Sequence, residues 1–231
     1  MKDLIVAIDG PSGAGKSTVG RMLAKALGYI YMDTGAMYRA IGWKAVSEGV
    51  ELKEGPALRE LCRSTEVELR QEGGELKVFV DGRDVSSLIR TPEMSMAASA
   101  VSAQPCVRER LLELQREMGK KGGVVMEGRD IGTVVFPQAG IKFYMDADVR
   151  ERARRRYAEL LARGEKVDLE KTVEAVMKRD YDDSHRDIAP LKKAEDAIVV
   201  DTSNMTAEEV VQFMKERVEK AAGHRSNVHP L

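Results

Sequence analysis

The stretch that most restricts how this chain can fold is residues 4–20, which read LIVAIDGPSGAGKSTVG. An apolar run at 4–8 leads directly into Gly10-Pro11-Ser12-Gly13-Ala14-Gly15-Lys16-Ser17, and a helical pattern follows. The segment fits G-x-x-x-x-G-K-[ST], the phosphate-binding loop, in the strand-to-helix context that this motif needs. Its glycines let backbone N–H groups turn inward around a phosphate, and the helix N-terminus attracts the anion. A plain glycine-rich turn is the alternative, but the combined requirements favour a nucleoside triphosphate site.

Each side chain of the loop has an expected role. The residues expected to bind ATP are Gly10, Pro11, Ser12, Gly13, Ala14, Gly15, Lys16, Ser17 and Thr18. We expect Lys16 to reach the outer phosphates and the Ser17 hydroxyl to bind Mg²⁺, with water in the remaining ligand positions. The acceptor of the phosphoryl group has to be inferred from the rest of the chain.

Composition limits the class of protein. The 231 residues are 43% hydrophobic and 32% charged, which suits one substantial globular domain with room for an insertion. A net charge of −1 gives no reason to expect nucleic acid or a membrane as a partner, and no apolar run has membrane-spanning length. Cys62 and Cys106 fit no metal-binding spacing, and the residues before the loop are too few for a signal peptide. We therefore expect a cytoplasmic monomer.

Apolar runs of strand length recur along the chain and alternate with helical segments. They lie at residues 4–8, 29–32, 124–126, 141–145 and 197–200. Continuous apolar runs are typical of parallel strands buried on both faces, and the alternation predicts an α/β fold. We expect a three-layer α/β/α P-loop core with a five-stranded parallel sheet, formed by residues 1–50 and 100–221, and a flexible tail at 222–231.

Residues 51–99 have a different pattern. Alternating side chains are interrupted by Gly73-Gly74 and by Asp81-Gly82, which are hairpin signals. The pattern predicts a small antiparallel β insert between elements of the parallel core. Such an insert is either a flap that binds substrate or a surface hairpin, and the pattern leaves both open.

Charged side chains follow several of the predicted strands, where ligands bind in open α/β sheets. Thr34 and Arg39 follow the second strand, and Arg129 and Asp130 follow the third. A further segment, 148–163, contains six arginines and no lysine. A capped helix or a solvated face would explain each of these features alone. Together they supply enough guanidinium for two polyanions, which favours direct phosphoryl transfer between phosphates, carried by positioning and electrostatics.

Several longer motifs resemble those of the bacterial cytidylate kinases, which are CMP/dCMP kinases. They are IDGPSGAGKST, DTGAMYR, SSLIRTPEM, EGRDIGTVVFP and RDYDDSHRDIAPL. The resemblance covers nearly all of residues 4–220, and the last two motifs are far more specific than the phosphate loop. It implies a Mg²⁺-dependent transfer of the ATP γ-phosphoryl group to CMP or dCMP. It also implies that the insert at 51–99 binds the nucleoside monophosphate and that about 148–167 form a short helical lid.

The resemblance further implies roles for single residues. The acceptor phosphate would be held by Thr34, Arg39 and Arg129, the cytosine by Ser99, Arg108 and Asp130, and the sugar by Arg179 and Asp183. The residues expected to act in catalysis are Lys16, Arg129, Arg186, Arg152 and Arg156. Thr34 stands where the family often has serine, and Glu127 where aspartate often precedes Gly-Arg-Asp.

Two alternatives remain at this point. One is another small-molecule or nucleoside monophosphate kinase on the same fold, against which the insert and the EGRD segment argue. The other is a non-catalytic P-loop nucleotide-binding protein. A switch of that kind needs a motif that reads guanine, and the chain has no segment like N-K-x-D.

Overall fold

The alternating apolar and helical segments fold as strands and helices in a computed structural model that describes residues 4–73 and 75–226. The strands are β1 (Ile5–Asp9), β2 (Ile30–Asp33), β3 (Val67–Glu72), β4 (Glu75–Val80), β5 (Arg83–Asp84), β6 (Val124–Gly128), β7 (Ile141–Asp146) and β8 (Ile198–Asp201). The helices are α1 (Lys16–Leu27), α2 (Thr34–Ser47), α3 (Pro56–Ser64), α4 (Pro92–Ser102), α5 (Pro105–Gly119), α6 (Val149–Ala162), α7 (Leu169–His185) and α8 (Ala207–Ser226). A 3₁₀ turn lies at Leu88–Arg90 and a π-helical turn at Ile131–Val135.

The five apolar runs form one sheet in the order β2-β6-β1-β7-β8, which confirms the predicted five-stranded parallel sheet. Strand β1 pairs in parallel with β6 on one side and with β7 on the other. In this register Asp9 is level with Gly128 of β6 and with Tyr144 of β7. The segments that follow these three strands therefore leave the sheet side by side.

The chain divides into two compact units, of which the first comprises residues 1–31 and 121–231. Its core is the sheet itself, because strands without polar alternation have both faces covered. Val6 and Ile8 of β1 and Met126 of β6 have no exposed surface. Leu23 of α1 and Met214 of α8 are equally buried, and these two helices pack on each other. This core gives a firm base to the loops at the carboxyl ends of the strands.

The second unit, residues 32–120, contains the predicted antiparallel sheet, in the order β3-β4-β5. Its β3–β4 hairpin runs from the pair Val67–Val80 to the pair Glu72–Glu75. The unit is wider than the insert predicted at 51–99. Helices on either side of that segment bury their apolar faces in the same cluster as the sheet, since Ile41 of α2 and Leu111 of α5 pack there.

Helix α8 extends into the segment predicted to be a flexible tail. It starts after Thr206, whose Oγ1 accepts a hydrogen bond from the Glu209 N–H at 3.2 Å, while Glu209 accepts from the Thr206 N–H at 2.8 Å. It continues to Ser226, past the predicted start of the tail at 222, because Ala222 extends the buried i, i+4 face formed by Met214 and Val218. The rest of that predicted tail, 227–231, lies outside the described residues.

Across the part of the chain that the structure describes, every helix is too short or too polar to cross a membrane.

Candidate active site

The phosphate-binding loop connects β1 to α1 with the backbone geometry that its glycines predict. Gly10, Gly13 and Gly15 have φ values of 147°, 79° and 88°. At Gly10 a Cβ atom would lie only 1.9 Å from the carbonyl oxygen of Met145 in β7. The neighbouring strand therefore requires glycine at this position, independently of any phosphate. Gly15 is the N-cap of α1, which begins at Lys16.

Lys16 is a buried cation inside the loop. Its side chain crosses the loop, and Nζ donates to the Pro11 carbonyl oxygen at 2.6 Å. Burial and, after it, the positive charge of Arg129 lower the pKa of Lys16 to about 7, against the opposing effect of Glu127. An anion placed in the loop would stabilise the ammonium form, so the electrostatics of the loop suit a phosphate.

The start of α1 fits a magnesium ion that is shared with a nucleotide. Ser17 and Thr18 are exposed in the first turn. The described residues include no group of three or more His, Cys, Asp or Glu side chains that could hold a metal ion. Mg²⁺ retains several waters and takes ligands from substrate phosphates, so it needs few protein ligands. The Ser17 hydroxyl provides one oxygen of the hard type that this ion prefers.

Side chains from distant segments hold the carbonyl groups of the loop. Arg152 of α6 donates from Nη1 to the Ser12 carbonyl oxygen at 3.1 Å, and Thr202 donates from Oγ1 to the Ala14 carbonyl oxygen at 3.1 Å. Arg155 in turn donates from Nη1 to Thr202 Oγ1 at 3.0 Å. The loop is thus fixed by the residue after β8 and by two arginines of α6.

The arginines of α6 do not share one environment. Arg152 is buried and also pairs with Asp180 at 2.5 Å, whereas Arg150 and Arg154 are exposed. Arg156 donates from Nη1 to Glu159 at 2.8 Å, on the same helix. Of the two α6 arginines predicted to act in catalysis, Arg152 therefore supports the loop, and Arg156 is held by a neighbour on its own helix.

Three residues predicted to bind the acceptor nucleotide form an ion-pair cluster in the first unit. Arg129 Nε lies 2.7 Å from Asp183 Oδ2, and Arg179 Nε lies 4.0 Å from the same carboxylate. Burial would raise the pKa of Asp183, but the charges of Arg129 and Arg179 outweigh it and lower that pKa. Burial likewise opposes the charge of Arg129, and Asp183 raises the pKa of the guanidinium above its ordinary value. The cluster therefore keeps its charges when buried.

Asp130 and Arg186 also lie together in the first unit. Arg186 Nη2 is 3.8 Å from Asp130 Oδ1, and both side chains are almost fully buried. Arg186 Nε donates to the Ala189 carbonyl oxygen at 2.7 Å. Ala189 has a left-handed φ of 47°, which is uncommon for a residue with a side chain. The turn before Pro190 thus orients the guanidinium of Arg186.

A second group of predicted site residues lies at the start of α2. Asp33 caps the helix by accepting from the Ala36 N–H at 3.0 Å, and its other oxygen accepts from Arg39 Nη2 at 2.8 Å. A Cβ atom on Gly35 would lie 3.1 Å from Asp33 and 3.2 Å from Arg39 Nη1, so glycine lets the guanidinium fold back over the helix start. Thr34, the first residue of α2, is buried, and within the described residues Arg39 Nε is buried without a hydrogen-bond partner.

The predicted cytosine-binding residues Ser99 and Arg108 lie at the junction of α4 and α5. Arg108 is buried, and its Nη1 donates to the Ser102 carbonyl oxygen at 3.1 Å. The guanidinium carbon is 5.7 Å from the centre of the Tyr38 ring. The Ser99 carbonyl oxygen accepts from Ser102 Oγ at 2.8 Å. The second unit therefore holds this arginine in a fixed orientation.

Three residues with clear roles around the loop were missed from the sequence. Asp9 binds the backbone after Asp130, Thr202 binds the loop, and Tyr31 donates a hydrogen bond to the buried Glu127. Asp9 directly follows one apolar run and Thr202 lies two residues after another, so their positions at the carboxyl ends of strands were a usable signal. Tyr31 gave none, because tyrosine is an ordinary strand residue.

A phosphate-binding loop of this geometry on a five-stranded parallel sheet defines the class of P-loop nucleotide-binding proteins. Residues 6–220 match the sequence profile of one family in that class, the cytidylate kinases. The chain belongs to the cytidylate kinase family, which confirms the resemblance seen in the motifs.

Individual relatives agree over nearly the whole chain. A cytidylate kinase of Citrifermentans bemidjiense is 50% identical over 217 residues, which cover 94% of this chain and 93% of that protein. A cytidylate kinase of Pelotomaculum thermopropionicum is 52% identical over 221 residues, which cover 95% of this chain and 97% of that protein. A crystal structure of an uncharacterized protein from Eubacterium ventriosum has a TM-score of 0.51 at 12% identity and covers 94% of this chain and 99% of its own. At that identity the likeness concerns the fold alone.

Proposed function

We propose that the protein is a cytidylate kinase that transfers the γ-phosphoryl group of ATP to CMP or dCMP and releases ADP with CDP or dCDP. The observation that carries the proposal is the match of residues 6–220 to the cytidylate kinase family. The site geometry agrees with it, because the phosphate loop supplies a donor site and the arginine clusters supply positive charge for a second phosphate.

On the donor side, residues 10–18 bind ATP and Lys16 binds the outer phosphates. Lys16 is already directed into the loop by its bond to Pro11. Ser17 holds Mg²⁺, which when bound offsets the negative charge of the phosphates during transfer. The bonds from Arg152 and Thr202 hold the loop backbone in the shape that receives the phosphates.

On the acceptor side, Arg129 and Arg39 bind the phosphate of CMP, with Thr34. In each arginine a carboxylate fixes part of the guanidinium, since Asp183 accepts from Arg129 Nε and Asp33 accepts from Arg39 Nη2. A guanidinium held in this way presents its remaining N–H groups in a fixed direction, which suits a phosphate.

The remaining acceptor residues read the nucleoside. Ser99, Arg108 and Asp130 bind cytosine, for which a carboxylate that accepts from the N4 amino group is suited. Arg179 and Asp183 bind the sugar. Arg186 binds the phosphates that are being joined, with Arg152 and Arg156 of the α6 lid, and closure of the lid excludes water. A phosphate dianion needs little help from a general base, so positioning and electrostatics account for the rate.

The test is a panel of nucleoside monophosphates, assayed by ADP release with MgATP. CMP and dCMP are expected to give the highest kcat/KM, ahead of UMP, AMP and GMP. Turnover of AMP or GMP far above that of CMP would assign the protein to another nucleotide kinase. ATP binding without turnover of any monophosphate would favour a non-catalytic protein. Lys16→Ala is the control, because it should lower kcat by orders of magnitude while the fold stays intact.

A further inference from the structure

Asp9 joins the strand before the phosphate loop to the turn after β6. It is the last residue of β1 and is only 4% exposed. Oδ1 accepts from the Ile131 N–H at 2.8 Å, and Oδ2 accepts from the Gly132 N–H at 2.7 Å. These two N–H groups open the π-helical turn that directly follows Asp130. One carboxylate therefore connects the donor loop with the segment that carries Arg129 and Asp130.

The turn that Asp9 holds is tightly packed. A Cβ atom on Gly132 would lie 3.0 Å from Lys142 Cδ and 3.3 Å from Asp9 Oδ2. Lys142 cannot readily move aside, because Nζ donates to the Pro137 carbonyl oxygen at 2.7 Å and to Asp196 at 2.8 Å. The Gly132 backbone is thus confined between Lys142 and the Asp9 carboxylate, so a change at Asp9 is transmitted to the turn.

The buried carboxylate is unfavourable in its charged form. The pKa of Asp9 is raised to about 6, chiefly by burial and also by the charge of Asp130, while the two backbone bonds and Lys16 act in the opposite direction. The pKa of Tyr144 in β7 is also raised in part by the charge of Asp9. A neutral residue at the end of β1 would avoid the unfavourable burial of charge. The stability of the sheet therefore does not explain why an ionisable side chain stands at this position.

We propose that Asp9 is a positioning residue for phosphoryl transfer, whose carboxylate sets the place of the Arg129–Asp130 segment relative to the phosphate loop. An ionised carboxylate accepts from two N–H groups at once, and such bonds are stronger than those between neutral groups. The neutral acid has an O–H donor on one oxygen, which faces an N–H and breaks the pair. The inference rests on the proposed function, since the segment acts on CMP only if CMP is the acceptor.

The first test is Asp9→Asn, which keeps the size of the side chain but replaces one acceptor oxygen with an NH₂ group. We expect kcat with CMP to fall about tenfold to a hundredfold, as for a small displacement of a catalytic segment. The KM for ATP should change less than about threefold, because the loop keeps its other supports. Asp84→Asn is the matched control, since that exposed carboxylate also accepts a backbone N–H, from Ser86 at 2.8 Å. An unchanged kcat in Asp9→Asn would overturn the proposal.

The second test separates positioning from a loss of stability. The ratio of wild-type kcat to Asp9→Asn kcat is measured between pH 5 and pH 8. The ratio should be large at pH 8 and shrink below about pH 6, where wild-type Asp9 becomes protonated. Titration of the CMP phosphate affects both proteins and cancels in the ratio. A lowered kcat with a constant ratio would contradict the role of the charge. Val218→Ala, which opens a cavity under α8, shows what lower stability alone does to kcat.

A third measurement does not depend on the reaction. The backbone amide resonances of Ile131 and Gly132 are followed by NMR in the substrate-free protein from pH 4.5 to pH 8. Both should shift with a midpoint near 6 in the wild type and lose that transition in Asp9→Asn. Absence of the transition in the wild type would overturn the link between Asp9 and the turn. If the transition is present and no monophosphate is turned over, the proposed function fails and the link stands.

Discussion

At the scale of single residues, Lys16 and Asp183 are both buried, yet their surroundings act differently on their charges. Burial and Arg129 together lower the pKa of Lys16 to about 7. At Asp183 the charges of Arg129 and Arg179 outweigh burial, so its pKa is lowered and the carboxylate stays ionised. Lys16 is therefore the group in the loop whose protonation is balanced near neutral pH.

This balance predicts that ATP binding is coupled to proton uptake. At pH 8 most of the free protein has a neutral Lys16, and nearby phosphate charge raises the pKa of the amine and protonates it. Calorimetric titration with MgATP in buffers of different ionisation enthalpy should detect an uptake approaching one proton per site. Lys16→Met should abolish it, whereas Lys25→Met, at an exposed lysine of the same helix, should not. Binding at pH 8 without uptake in the wild type would contradict the prediction.

A second prediction concerns Asp130. Asp130→Ala removes the carboxylate proposed to bind cytosine and the partner of Arg186. Loss of a hydrogen bond to a charged group weakens binding by a factor of about ten to a hundred. The kcat/KM for CMP should therefore fall by that factor. The KM for ATP should change little, because Arg152 and Thr202 hold the loop carbonyls. Unchanged CMP kinetics would show that Asp130 does not read the base.

At the scale of elements, the phosphate loop depends on supports that come from much later in the chain. Helix α6 and the residue after β8 reach it through Arg152, Arg155 and Thr202. The parallel register makes this possible, since β7 and β8 leave the sheet at the same edge as β1. Nucleotide affinity should therefore respond to changes in the last strand of the sheet.

Thr202→Val tests that dependence. Valine has a similar shape but leaves the Ala14 carbonyl and the Arg155 guanidinium without the hydroxyl. We expect the KM for ATP to rise several-fold, with a smaller change in the KM for CMP, since a lost hydrogen bond is worth about 1 kcal/mol. Thr206→Ala is the control: it removes the cap of α8 and lowers stability by about 1 kcal/mol, without an effect on the KM for ATP. Equal effects of the two variants on ATP would refute the loop-support role.

The elements also show how far the sequence determines the fold. The five core strands were predictable because each is a continuous apolar run, and the loop because its residue types serve one backbone geometry. The extent of the second unit could not be predicted, because it depends on where Ile41 and Leu111 bury their side chains. No local sequence pattern specifies that. In the site, the sequence and the family resemblance supplied charged candidates such as Arg129. They did not indicate that Arg152 supports the loop backbone, since that contact joins residues 140 positions apart.

At the scale of the whole molecule, two buried carboxylates make the free energy of unfolding depend on pH in opposite directions. The pKa of Asp9 is raised, so its contribution to stability is present below the ordinary carboxyl pKa of 3.8 and is lost as the pH rises through about 6. The pKa of Asp183 is lowered, so its contribution is present above the ordinary pKa and is lost as the pH falls. In the first unit, the charged form of Asp183 therefore stabilises the fold, whereas the charged form of Asp9 does not.

These directions predict how two variants behave in denaturant unfolding. Relative to the wild type, Asp9→Asn should gain up to about 3 kcal/mol between pH 4 and pH 7, because the wild type loses its Asp9 contribution over that range. Asp183→Asn should be less stable than the wild type at pH 7, and the deficit should shrink as the pH falls below 4. A stability difference for Asp9→Asn that does not vary with pH would contradict this account. A gain in stability together with a loss of kcat would mark Asp9 as a site where activity and stability conflict.

Gly10 has a consequence for how the loop motif is interpreted. The Met145 carbonyl oxygen of the adjacent strand fills the space where a Cβ atom would lie. Selection for a packed sheet would thus preserve this glycine even in a descendant that had lost all affinity for nucleotides. The first glycine of the motif is therefore required by the packing of the sheet and is not by itself evidence of nucleotide binding. Positions that the sheet does not constrain, such as the exposed Ser17 and Thr18, are the ones that depend on the ligand. In a related protein that no longer binds nucleotides, we expect substitutions at those exposed positions before any substitution of the glycine.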